Sequence, residues 1–257
     1  MSEPVILEIC ADSVESAVAA QCGGASRVEL CSNLLEGGVT PSAGLISTVR
    51  RKLDIELYVM IRPRGGDFCY TAEELATMEN DVHVAKQLGA NGIVLGVLQK
   101  DGDVDVARTR RLVEMARPLK TTFHRAFDMS RNLTQSLEDI IKAGAARVLT
   151  SGGEQKAEDG ICTIAQLVKA ADRRISLMVG SGITRSNVRR VIEATGVREI
   201  HASMRVQVPS PMQHHNEKIS MGLGNGSEYQ RTVVLQEDVR RLIESANDAT
   251  HHRGKPR

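Results

Sequence analysis

Tryptophan is absent from this chain, and aromatic residues of all kinds make up 2% of its 257 positions. A protein so poor in rings has no row of stacking platforms for the bases of a single strand. Neither sign of charge is in excess, with 33 basic against 32 acidic residues and a formal charge of +1. No global field recruits a polyanion, so nucleic acid is not an expected partner. Long apolar runs are missing too, none approaching the roughly 20 residues that span a bilayer, and no membrane partner is expected. The opening Met1-Ser-Glu-Pro-Val-Ile-Leu-Glu8 has no basic segment leading into an apolar one, which predicts a cytoplasmic protein. Cysteine is sparse and odd in number: Cys10, Cys22, Cys31, Cys69 and Cys162. Dispersed in this way and without secretory context, they read as reduced thiols rather than a disulfide framework.

What remains is an ordinary globular composition, 41% hydrophobic and 25% charged, long enough for one large domain. Apolar strand-like runs alternate with helical patterns along the whole chain. The strands are predicted at Val5–Cys10, Ser26–Cys31, Ile55–Ile61, Gly92–Leu98, Thr121–His124, Arg147–Thr150, Ile175–Val179 and Glu199–His201. Each but the last is followed directly by a helix, and an eighth helix is predicted over Val233–Ala246. Asp12 and Ser13, Thr40 before Pro41, and Thr71 or its neighbours supply cap signals. Eight such units in a chain of this size predict a (β/α)₈ TIM barrel of the α/β class, a single domain over residues 1–250 with a disordered tail over 251–257. The stretch from Met204 to Tyr229 reads as irregular, and its place after the eighth strand suggests a lid over the barrel mouth.

In such a barrel the C-terminal ends of the strands share one face, where binding and catalytic groups sit. The run Met60-Ile-Arg-Pro-Arg-Gly-Gly-Asp67 is the plainest exit: Pro63 ends the strand and two glycines permit a tight loop. Arg62 and Arg64 there read either as a structural salt bridge or as a clamp for an anion. Side chains two apart share a strand face, so Glu8 points with Cys10 and Glu29 with Cys31. The two Glu-x-Cys pairs are expected side by side, meeting Arg62 with His124 across the mouth. Their plain alternatives are carboxylates that neutralise Arg62, thiols that pack as small core residues, and a satisfied core histidine. Read as an enzyme on a small anionic or phosphorylated metabolite, Arg62 and Arg64 clamp the anion, Glu8 or Glu29 is the base and His124 the acid. Arg125, Asp128, Thr150, Ser151, Gly152, Gly180, Gly182, His201 and Ser203 complete the ligand-facing set, and the glycine-rich exits could offer backbone N–H groups to an anion. No lysine sits at a strand exit, which disfavours Schiff-base chemistry.

Glu8-Ile-Cys10, Glu29-Leu-Cys31, Gly37-Gly-Val-Thr-Pro-Ser42, Met60 to Asp67, Phe123-His-Arg-Ala-Phe-Asp128, Leu149-Thr-Ser-Gly152 and His201-Ala-Ser203 together resemble the CutC copper homeostasis family over about residues 5 to 245. The resemblance implies a TIM barrel, a cytoplasmic location, a homo-oligomer (dimer or tetramer) and a role in handling copper. It also implies Cu(I) as the bound ion, held by Cys10 and Cys31, a soft thiolate pair suited to that metal. An enzymatic reaction is not among its implications.

Overall fold

The computed structural model describes residues 4–216, 218, 219, 221 and 228–251. Eight parallel strands close on one another in sequence order, the last pairing with the first. They are β1 (Ile6–Ala11), β2 (Arg27–Leu30), β3 (Glu56–Met60), β4 (Gly92–Leu95), β5 (Lys120–Phe123), β6 (Arg147–Thr150), β7 (Ser176–Val179) and β8 (Glu199–Ala202). Between them run the helices α1 (Val14–Cys22), α2 (Ala43–Arg50), α3 (Ala72–Gln87), α4 (Val106–Ala116), α5 (Leu133–Ala143), α6 (Ile161–Ala171) and α7 (Val188–Thr195), and α8 (Gln236–His251) completes the outer ring. The (β/α)₈ barrel expected from the alternating pattern is the observed fold.

The strands are short and apolar on their outer faces because helices cover them. Leu7, Ile9, Val28, Leu30, Leu57, Val59, Ile93 and Leu95 are completely buried, each worth about 1.5–3 kcal/mol against an exposed side chain. Leu137 and Ile140 of α5, three apart and so on one helix face, meet the same core. Caps set where helices begin. Ser13 Oγ accepts from Ser16 N, and Thr71 and Glu74 form a reciprocal capping box. The cap of α2 is Ser42, not Thr40. Thr40 ties the loop before α2 to the end of β3 instead, its Oγ1 accepting from Arg62 N at 2.9 Å.

Two features depart from expectation. The segment after β8 is not irregular at its base. β9 (Arg205–Pro209) pairs antiparallel with β10 (Gln230–Val234), forming a ribbon outside the barrel, and α8 consequently starts three residues later than predicted. Residues 217, 220 and 222–227 of the proposed lid, and 252–257 of the proposed tail, lie outside the described residues; His251 still belongs to α8.

The second is register. Cys10 lies opposite Glu29, and Glu8 lies opposite Arg27. The two Glu-x-Cys pairs are therefore staggered by two residues rather than level. Closure of a sheet into a barrel requires this shear. It lifts Glu29 to the level of Cys10, and leaves Glu8 one layer deeper.

Candidate functional site at the barrel mouth

A cavity of about 1150 Å³ opens at the C-terminal ends of the strands. Cys10, Glu29, Met60, Arg62, Phe68, His124 and His201 line it, so five distant parts of the chain meet on one surface.

At one wall of the cavity the two thiols meet although their strands are staggered. Cys10 Sγ and Cys31 Sγ are 3.4 Å apart and both are buried. The loop before α2 closes on them: a Cβ on Gly38 would stand 3.3 Å from Cys31 Sγ, and its φ of +92° suits glycine. The hydrogen bond to Cys31, then burial and the Glu29 carboxylate, hold the Cys10 thiol well above the ordinary thiol range. Glu29 is itself pushed up, chiefly by burial, and its Oε1 has no hydrogen-bond partner among the described residues. His201 stands between the two acids, with Nδ1 2.8 Å from Glu8 Oε1 and Nε2 3.8 Å from Glu29 Oε2. Burial works against its charge, yet Glu29 and Glu8 prevail and keep it an imidazolium.

Below this layer lies a buried ionic floor that the sequence reading does not include. Arg27, 1% exposed, bonds Glu8 and, at 2.8 Å, Glu199; Arg147 bonds Glu199 as well. Both guanidinium groups stack on the ring of Tyr58, at 4.7 and 5.4 Å. Gly92 makes room for that ring, since a Cβ there would lie 2.5 Å from it. Burial alone would raise the Glu8 carboxyl, but Arg27 and His201 bring it down to about 2. Neither glutamate neutralises Arg62: Glu8 serves Arg27, and Glu29 faces the thiols and His201. Strand periodicity carries the signal for the missed residues. Arg27 lies two before Glu29, and Glu199 two before His201, which puts each on the inner face.

Arg62 and His124 line the same cavity. Arg62 donates to the carbonyls of Glu36, Gly38 and Gly66 at 2.7–3.0 Å, leaving its Nε without a partner among the described residues. His124 Nδ1 accepts from Ala126 N at 3.1 Å, so its proton sits on Nε2, which has no partner either. Burial, then the Arg62 charge, push His124 down to about 3. It is a neutral donor at physiological pH through Nε2–H. The sign for stability follows. The unfolded imidazole protonates near 6.5 while the folded one does not until about 3, so stability falls as pH drops through that window. The slope reaches about 1.4 kcal/mol per pH unit at most. His124→Gln should flatten the stretch from pH 6.5 to 4.5 in urea unfolding curves relative to the wild type, the raised Glu29 carboxyl being common to both. An unaltered slope would contradict the neutral ring.

The remaining predicted residues divide. Ser203 and Gly182 line the cavity. Gly180 is a spacer, where a Cβ would meet Leu149 at 2.8 Å and His201 at 3.1 Å. Arg64 turns outward to Asp67 and Glu74 and lies over Tyr70 at 5.2 Å, so it does not share a clamp with Arg62. The glycine-rich exit of β6 is already filled. Asp128 accepts from Thr150 Oγ1 at 2.6 Å, Ser151 N at 3.0 Å, Ser151 Oγ at 3.0 Å and Gly153 N at 3.0 Å, and pairs with Arg125. The N–H of Gly152 goes to Thr150 Oγ1. Donors expected to face a ligand anion therefore hold the protein's own carboxylate.

Among the described residues, donor atoms within 4.8 Å of one another occur as Cys10, Glu29 and Cys31, and as Glu8, Glu29 and His201. The second group is accounted for by a protonated histidine between two acids. The first holds two soft thiols beside an unpartnered carboxylate oxygen. No helix among the described residues is long and apolar enough to cross a membrane.

Comparison with known proteins places these features in a group. A CutC family protein of Chromobacterium violaceum is 48% identical over 95% of this chain and 99% of its own length. The copper homeostasis protein cutC homolog of Mus musculus is 46% identical over 95% of this chain and 90% of its own. The crystal structure of the CutC protein from Streptococcus agalactiae superposes with a TM-score of 0.74 at 34% identity, covering 77% of this chain and 98% of that one. The profile of the CutC family matches residues 5–206, a span from β1 into β9, and the chain belongs to that family.

Proposed function

We propose that this protein serves copper homeostasis in the cytoplasm by binding Cu(I) between Cys10 and Cys31. One observation carries the reading: two buried sulfurs 3.4 Å apart, Cys10 on β1 at the cavity wall and Cys31 just past the end of β2. Thiolates are soft donors that select Cu(I) over harder ions. The thiols must lose protons to bind metal, and the neighbouring imidazolium of His201 favours the negative charge so created. Homo-oligomeric assembly belongs to the same reading, by kinship with the family. Titration of the reduced protein with Cu(I) against a competing chelator should give about one site per chain. The Cys10→Ser/Cys31→Ser variant should lose it, and unchanged stoichiometry in that variant would eliminate the assignment.

A second reading, an enzyme or receptor for a small anionic metabolite, is favoured by the cavity itself. About 1150 Å³ is far more than one ion occupies, and Arg62 and His124 present donors unpartnered among the described residues. In it Glu29 is the base and His124 a neutral electrophile. It falls if no small anion binds the cavity.

A further inference from the structure

Arg62 and His124 are 5% and 4% exposed, and each has its other polar atoms engaged by the backbone. What is left is Arg62 Nε–H and His124 Nε2–H, both without an acceptor among the described residues. A buried donor without a partner costs about 1–3 kcal/mol, so two in one cavity wall need an explanation. The thiol pair supplies none. Phe68 links them, its ring 4.9 Å from Arg62 Cζ and 5.0 Å from the His124 ring. It is half-buried and is the side chain that must move aside for a ligand to reach both.

We propose that this part of the cavity binds a small organic acid by its carboxylate, Arg62 Nε–H and His124 Nε2–H being the donors and the apolar wall of Met60, Leu98 and Leu149 taking the carbon body. The inference rests on the second reading above, and names its ligand class. Two N–H donors, one of them cationic, match the two oxygens and single charge of a carboxylate. A phosphate carries up to two charges and three free oxygens, and barrels bind it with backbone N–H groups after the sixth and seventh strands. Here the loop after β6 is closed to it by Asp128. The match in charge and oxygen count favours a carboxylate over a phosphate ester.

A matched set of probes separates the alternatives: hexanoate, hexyl phosphate and hexanol share one tail and differ in head group. Calorimetry on the full-length protein should show hexanoate binding, hexyl phosphate weaker by about tenfold or more, and hexanol without measurable affinity. Arg62→Gln and His124→Phe should each weaken hexanoate by about tenfold or more, while Cys10→Ser/Cys31→Ser leaves it unchanged. Wild-type imidazole NMR gives a readout that does not depend on the variants' folding, since hexanoate should shift the Nε2–H signal that His124→Phe lacks. Hexyl phosphate binding as tightly as hexanoate, dependent on Arg62, would overturn the carboxylate class and leave the small-anion reading standing. No binding by either anion, with the His124 signal unmoved, would overturn both. Hexanol equal to hexanoate would overturn the proposal by showing an apolar pocket alone.

Discussion

Arg27→Met should lower the free energy of unfolding by about 3–5 kcal/mol, a large part of a typical domain's stability. Arg27 is completely enclosed, and the change leaves Glu8 and Glu199 in the barrel with only Arg147, His201 and Ser176 to meet them. Methionine fills much of the volume but compensates neither charge. The pH dependence should shift in a defined direction. Glu8 titrates at about 2 in the folded protein against an ordinary 4.5, so its contribution is full above 4.5 and lost as pH falls towards 2. Without Arg27 the carboxyl rises and acid unfolding moves to higher pH. Adding Glu8→Gln to the variant should recover part of the loss, because it removes an uncompensated buried charge. A loss below about 1 kcal/mol in denaturant unfolding would mean that water reaches this floor.

Asp128→Ala should cost about 2–4 kcal/mol, since it strands Thr150, Ser151 and Gly153 donors together with Arg125. The same change should create an anion site. With the carboxylate gone, Ser151 N, Gly153 N, two hydroxyls and a guanidinium surround a space the size of its head group. Inorganic phosphate at tens of millimolar should raise the melting temperature of the variant and leave the wild type unmoved. Equal shifts in both proteins would show that Asp128 is not the occupant of the phosphate-type cradle.

Much of this site was legible before any coordinates. Eight apolar runs with polar residues at their ends specify a barrel and a rim, because every βα unit delivers its exit to the same face. That Cys10, Glu29, Arg62, His124 and His201 line one cavity was legible in that way. Their pairing was not. Shear is a property of the closed ring, so no local pattern shows that Glu29 stands level with Cys10, or that Glu8 belongs to Arg27. Arg27 and Glu199 were readable in principle from period two, but charged residues at the start of a strand argue against burial until a partner is known. The protonation states of His124 and His201 are equally non-local: one ring faces a guanidinium and the other two carboxylates, each from another strand. Asp128 lies three residues after Arg125, while its other partners follow more than 20 residues later. The β9–β10 ribbon escaped notice because its two strands are joined by a long segment rather than a short hairpin turn.

Sulfur ligation of Cu(I) by this pair is the account's central claim, and copper K-edge X-ray absorption of the Cu(I)-loaded protein tests it most directly. The account predicts a first shell of sulfur scatterers that disappears in Cys10→Ser/Cys31→Ser. A nitrogen and oxygen shell in the wild type, or a sulfur shell that persists in the variant, would contradict it.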